Sequence, residues 1–293
     1  MTGAPEDGRL PGRDQPGGGQ NVRPDVVHCL VSLPMTGVLV AASAVLGLVV
    51  GSFLNVVIWR VPRKEPVLRP GSHCPGCDEP IRPSDNVPLL SWARLGGKCR
   101  HCQAPIPVRY PIVEAGCAVL FGVAAARFGP SWALPGYLVF FAALLAVTVI
   151  DLKHFIVPDR ITAPLTLAAV PLLGIAAAGE GDWWAFIRAL LGGLILFASF
   201  LSLNLVYSRG MGMGDVKLSF SLGLYLGWLG WGELLLGVFF SFLLGAVVSL
   251  VLLISGVRGT KDFIPFGPFL AAGTVIAVLW GASIIRWYSG SLL

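Results

Sequence analysis

Long stretches without a charge alternate with short polar segments along this chain. Thr36 to Trp59 runs 24 residues with no charged side chain, and further uncharged runs cover Phe128 to Ile150, Ile161 to Gly179, Ala189 to Tyr207, Leu234 to Val257 and Phe263 to Ile285. At about 1.5 Å rise per residue, each matches the thickness of a hydrocarbon core. Two weaker runs are Tyr110 to Ala126, which contains Glu114, and Leu218 to Gly232, which can borrow Val216 and Lys217. Together they predict about eight transmembrane helices. The runs are too long for strands of a membrane barrel, so the expected fold is an all-α polytopic membrane protein.

Composition strengthens this reading. Of 293 residues 55% are hydrophobic and only 13% charged, with mean hydropathy +0.76. So few charges cannot cover a water-facing surface, which makes the lipid bilayer the main partner and excludes a soluble fold. The 37 glycines and 22 prolines suit membrane helices, where both are better tolerated than in water.

Residues 1–34 differ from the rest. Eleven of them are Gly or Pro, charges are scattered and no apolar period is visible, so a disordered tail is expected. It does not read as a signal peptide, because the apolar run after Met35 is too long for one. Met35 is a candidate initiator. The remaining boundaries are residues 35–60 for the first membrane helix, 61–109 for a hydrophilic loop and 110–293 for the other helices.

Lys and Arg set the expected orientation. With the loop after the first helix inside, 15 of the 21 basic residues fall on the cytoplasmic side, nine of them in residues 60–109. Both termini are then outside. The net charge of +5 is thereby explained by topology, and no nucleic-acid partner is expected.

That loop holds Cys74-Pro75-Gly76-Cys77 and, after 21 intervening residues, Cys99-Arg100-His101-Cys102. Two such pairs place four thiolates on one ion, the donor set of a closed structural zinc site. Disulfides compete, but a cytoplasmic compartment is reducing. About fifty residues are too few for a sizeable core, so the metal is expected to organise the module. His73 and His101 read as loop residues, and Cys117 as a small apolar side chain inside a helix.

Carboxylates beside apolar runs are costly and therefore informative. Asp151 directly follows the third run; Asp215 closes Gly212-Met213-Gly214-Asp215 just before the sixth. Two spans separate them, so both must end on one face, the face that also carries the cysteine loop. Near a Gly-x-Gly turn that permits close backbone approach, they suit a dyad in which one member takes a proton from water and the other hydrogen-bonds to a scissile carbonyl. The competing reading makes both of them helix caps. Proton- or ion-coupled transport is a further use for membrane acids, but it predicts a repeat, and none is visible.

Several segments, in order, resemble the prepilin peptidases, also called type IV leader peptidases: Gly51-Ser52-Phe53-Leu54-Asn55 through Pro62, the four-cysteine loop with Asp85-Asn86-Val87-Pro88, Tyr110-Pro111 with Glu114, Asp151 through Asp159, Gly212 through Leu218, and Pro265-Phe266-Gly267-Pro268. Trp59, Val61 and Val157 are conservative departures. The resemblance implies an intramembrane aspartic protease of the GxGD type that removes the basic leader from type IV prepilins or pseudopilins at the cytoplasmic face of a bacterial inner membrane. Asp151 and Asp215 would then be catalytic, and Gly212 and Gly214 would shape the turn. Asp159 becomes a candidate attractor for the basic leader. The resemblance further implies N-methylation of the new N-terminus with S-adenosylmethionine, an activity associated with the first-helix motif and the cysteine module. A peptidase whose zinc loop is purely structural is the alternative. No glycine-rich cofactor turn is visible, and Asn55 and Glu114 are the candidates for S-adenosylmethionine contacts.

Overall fold

The computed structural model describes residues 24–69, 71–207, 211–256 and 264–290, and over 24–34 the helical backbone alone. The segment 1–34 expected to be disordered lies outside the described residues as far as residue 23; α1 is assigned from Pro24 to Arg60, and its apolar, membrane-length part is Met35–Arg60. The chain divides at Met35, and everything below belongs to the unit of residues 36–293.

Every uncharged run forms a helix. After α1 come the short α2 (Leu90–Arg94) and then α3 (Arg109–Phe128), α4 (Leu134–His154), α5 (Asp159–Glu180), α6 (Trp183–Val206), α7 (Met213–Leu229), α8 (Trp231–Ile254) and α9 (Gly267–Gly290). Seven of the described helices are long and apolar enough to cross a membrane. The eighth expected span, α7, has only 17 residues.

Its shortness has a physical reason. Helix α7 is surrounded by α5, α6, α8 and α9, and most of its side chains are buried, so protein rather than lipid meets its surface. A helix so placed tolerates hydroxyls: Ser219 donates to the Val216 carbonyl, and Ser221 shares a 2.7 Å hydrogen bond with Thr166 on α5. Against α6 the approach is backbone to backbone, because a Cβ at Gly223 would collide with the carbonyl of Gly192. Small residues allow such contact where no hydrophobic force drives helices together.

Helices α4 and α7 meet in an aromatic core. Phe140 and Tyr225 stack at 4.1 Å between ring centroids, and the buried Tyr137 hydroxyl donates to the Tyr225 carbonyl at 2.7 Å. The polar tip is satisfied and the rings supply apolar area. At the end of the bundle formed by the α3–α4, α5–α6 and α7–α8 connections, Trp132, Trp183, Trp184 and Trp231 are exposed, as at a membrane–water interface. The C-terminus of α4 and the N-terminus of α7 lie at the opposite end.

Candidate active site and metal centre

Asp151 sits in the last turn of α4 and Asp215 in the first turn of α7. Their side chains are only 4% and 6% exposed, and the two carboxyls are near enough to act on each other electrostatically. Topological parity thus becomes spatial proximity. Each carboxylate has one oxygen tied to backbone. Asp151 Oδ2 accepts the Gly267 N–H at 3.0 Å, and Asp215 Oδ2 reaches back to the Gly212 N–H at 3.3 Å, as the acid of a capping box does. Asp215 is therefore a helix cap as well as a member of the pair. Its Oδ1 is buried without a hydrogen-bond partner among the described residues. A buried acceptor without a partner is expensive, which leaves this oxygen free to take a proton or a hydrogen bond from another group.

The close backbone approach expected at the Gly-x-Gly turn falls on one of its two glycines. Gly212 has φ −74° and ψ 147°, open to any residue. Gly214 is required by proximity instead: a Cβ there would lie 2.7 Å from Val157 Cβ and 2.8 Å from its carbonyl oxygen. Gly267 behaves likewise, since its Cβ would sit 2.6 Å from Asp151 Oδ2. Sequence reasoning placed Gly267 in a motif without a role, and it overlooked Asn204. On α6, Asn204 donates to the Met211 carbonyl at 2.7 Å and so anchors the approach to Gly212; a buried amide inside an apolar run was the available signal. Asp159 is engaged by Lys217 at 2.7 Å, so its charge is already partnered.

The four cysteines converge, their sulfurs all within 4.8 Å of one another. Cys74 and Cys102 are 3.7 Å apart, well beyond the ~2.05 Å of a disulfide and near the spacing that tetrahedral Zn–S bonds of about 2.3 Å impose. The two cysteine pairs fold alike. Cys74 N–H bonds to the Glu79 carbonyl and Asp78 N–H to the Cys74 carbonyl; Cys99 with Ala104, and Gln103 with Cys99, repeat the pattern. Asp78 and Gln103, each just after the second cysteine, both take left-handed φ near 58° and 57°.

Their electrostatics favour a cation. The backbone N–H groups of Cys102 and His101 pull the Cys99 thiol down to about 6. Cys77, although the Glu79 N–H lowers it, is pushed up to about 12 by desolvation and by the three neighbouring sulfurs. A bound dication would favour the thiolate forms that hold it. Asp85 ties the second pair to the rest of the module through two bonds to Arg100, at 2.7 and 2.5 Å, and that guanidinium holds its carboxyl below the usual range.

Glu114 and Asn55 lie between module and membrane. Glu114 Oε2 accepts the Leu89 N–H at 2.8 Å, with Ser52 as a second partner. Asn55 donates to the carbonyls of Gly51 and Tyr110, which ties α1 to α3. Buried Arg60 donates to the carbonyls of Pro66, Val67 and Gly71 and shapes the entry to the module. Beneath the module is a cavity of about 370 Å³ whose lining includes Trp59, Trp92, Tyr110 and Glu114.

A multi-pass helical membrane protein with a buried carboxylate pair beside a Gly-x-Gly-Asp turn has the architecture of an intramembrane aspartic protease. Comparison with known proteins narrows this. The model described as bacterial Peptidase A24 N-terminal domain matches residues 45–128, and that of the type IV leader peptidase family matches residues 138–250. The chain is 38% identical over 288 residues to a prepilin leader peptidase/N-methyltransferase of Stutzerimonas stutzeri, covering 89% of this chain and 97% of the relative. To its namesake in Aeromonas hydrophila it is 39% identical over 273 residues, 84% of this chain and 92% of the relative. The corresponding protein of Myxococcus xanthus is 42% identical over 217 residues, 72% of this chain and 62% of that one. No solved structure matches. The chain belongs to the type IV leader peptidase family.

Proposed function

We infer that this protein is a bifunctional prepilin leader peptidase and N-methyltransferase of the bacterial inner membrane. The observation that carries the peptidase reading is the carboxylate pair: Asp151 and Asp215 are each held by one backbone N–H, and Asp215 Oδ1 remains unpaired. One carboxylate takes a proton from water as its oxygen attacks the scissile carbonyl. The other, protonated, hydrogen-bonds to that carbonyl and stabilises the developing oxyanion. Collapse of the tetrahedral intermediate breaks the C–N bond, and a proton from the pair leaves with the amine. Because the excess of Lys and Arg lies on the side of residues 60–109, the pair faces the cytoplasm and both termini lie outside. The substrates are the N-terminal segments of type IV prepilins or pseudopilins.

The donor set of Cys74, Cys77, Cys99 and Cys102 suits structural zinc, which would hold residues 61–109 together and take no part in either reaction. Bound S-adenosylmethionine would supply a methyl group on a sulfonium, transferred to the new N-terminal amine with loss of one proton. Residues 110–293 carry the peptidase, and residues 35–109 supply the parts tied to methylation.

Purified protein mixed with a prepilin from the same genome and methyl-labelled S-adenosylmethionine tests both activities. A shortened, labelled pilin is the expected product; shortened but unlabelled pilin would leave the peptidase alone, and intact prepilin would refute the reading. A second expected outcome concerns Gly214→Ala. The added Cβ forces the start of α7 off Val157, so overpacking should cost about 1–3 kcal/mol and displace Asp215. A cleavage time course and a thermal melt should both register it; an unchanged cleavage rate would mean that the close contact is not needed.

A further inference from the structure

We propose that the cavity between the cysteine module and the α1–α3 pair binds S-adenosylmethionine, with Glu114 as the counter-charge to its sulfonium. This inference rests on the methyltransferase reading and assigns that activity a place. The cavity, about 370 Å³, lies in the size range of small-molecule sites. Its lining also has the chemistry such a ligand needs. Trp59, Trp92 and Tyr110 offer aromatic surface for an adenine ring and for a cation. Exposed Arg82, also in the lining, offers a positive charge for the ligand's carboxylate.

Glu114 is the decisive residue. It is 7% exposed, it lines the cavity, and among the described residues it forms no ion pair. The partners it does have are both uncharged: the Leu89 N–H at 2.8 Å and the Ser52 hydroxyl. A carboxylate buried at the membrane boundary without a cation is uncommon unless a cationic ligand completes it. Leu89 adds an independent sign. This bulky residue takes a positive φ of 60°, its N–H turned to Glu114, and it too lines the cavity. Backbone held in a rarely visited conformation is a mark of functional sites.

Trp59, at one edge of the cavity, is approached by the end of α4 that carries Asp151. Lys153, two residues beyond Asp151, lies 6.0 Å from the centre of the Trp59 ring.

Charge distinguishes the role proposed for Glu114 from a packing role. S-Adenosylhomocysteine lacks the sulfonium, and Glu114→Gln removes the carboxylate charge while its carbonyl can still accept the Leu89 N–H. Equilibrium dialysis of the full-length, zinc-loaded protein in detergent should show wild type binding S-adenosylmethionine more tightly than S-adenosylhomocysteine. In Glu114→Gln, affinity for S-adenosylmethionine should fall by about tenfold, which is about 1.4 kcal/mol, with that for S-adenosylhomocysteine unchanged. Equal affinities for S-adenosylmethionine in wild type and variant would overturn the assignment while leaving methyltransferase activity intact. Absence of any binding by wild type, with or without mature pilin, would overturn that activity itself. Should the variant lose its zinc or melt early, photocrosslinking of labelled S-adenosylmethionine to wild type decides. Label within residues 59–114 is expected, and label confined to residues 134–290 contradicts the site.

Discussion

Asp151→Asn and Asp215→Asn should each lower the rate of leader cleavage by about 10²- to 10⁴-fold, the range supplied by a positioned acid or base. Asparagine keeps the shape and the backbone bond: its carbonyl can accept the N–H of Gly267 or Gly212 as the carboxylate does. What it cannot do is exchange a proton with water or amine. The two groups work on the same proton, so their losses should not add; the double variant is expected to be about as inactive as either single one. Melting temperature should change little or rise, since a buried carboxylate beside a second one is unfavourable. Either single variant cleaving at the wild-type rate would remove that residue from the mechanism.

Loss of one cysteine should be almost as severe for the module. Residues 61–109 contain few buried apolar side chains, among them Val61 and Cys74. Such a segment depends on metal binding for its structure, a contribution of about 10–16 kcal/mol for small zinc domains near neutral pH. Cys99→Ala leaves three thiols and removes one whose ionised form the Cys102 and His101 N–H groups favour. Metal analysis of protein purified without chelator should find about one zinc per wild-type chain and close to none in the variant. Limited proteolysis should then cut within 61–109 while the helices after Arg109 persist. Acidification acts in the same direction, because thiolates that regain protons release metal. A wild-type protein free of zinc and equally resistant to protease would show that the sulfurs meet for another reason.

Much of this was legible in the sequence because charge is scarce. Uncharged runs mark the helices, and the two spans between Asp151 and Asp215 put both on one face. The cysteine spacing likewise announces a four-thiolate cluster. Other features depend on contacts that no local pattern encodes. The N–H that holds Asp151 comes from Gly267, 116 positions away. A close approach at Gly214 is legible in the Gly-x-Gly turn, but its partner is not: Val157, which a different loop brings against it. Helix α7 reads as a weak membrane span since hydropathy cannot tell lipid from protein as the neighbour of an apolar face. The likeness of the two cysteine pairs was open to inspection, as Cys-x-x-Cys-x-x-Pro occurs twice, at Cys74–Pro80 and Cys99–Pro105. The β-bridges His73–Pro80 and Lys98–Pro105 make its meaning plain. Nor does the sequence pair Asp159 with Lys217, 58 positions away; being roughly half exposed, their ion pair is expected to add little to stability.

One measurement addresses the central claim that a single chain cleaves at an aspartate pair and methylates at a separate site. Wild type and Asp215→Asn are each given prepilin, or mature pilin already cleaved, with S-adenosylmethionine, and the intact mass of the pilin is followed over time. Wild type should remove the leader first and then add one methyl group. Asp215→Asn should leave prepilin whole yet still methylate the mature pilin. Removal of the leader by Asp215→Asn at the wild-type rate would contradict the account.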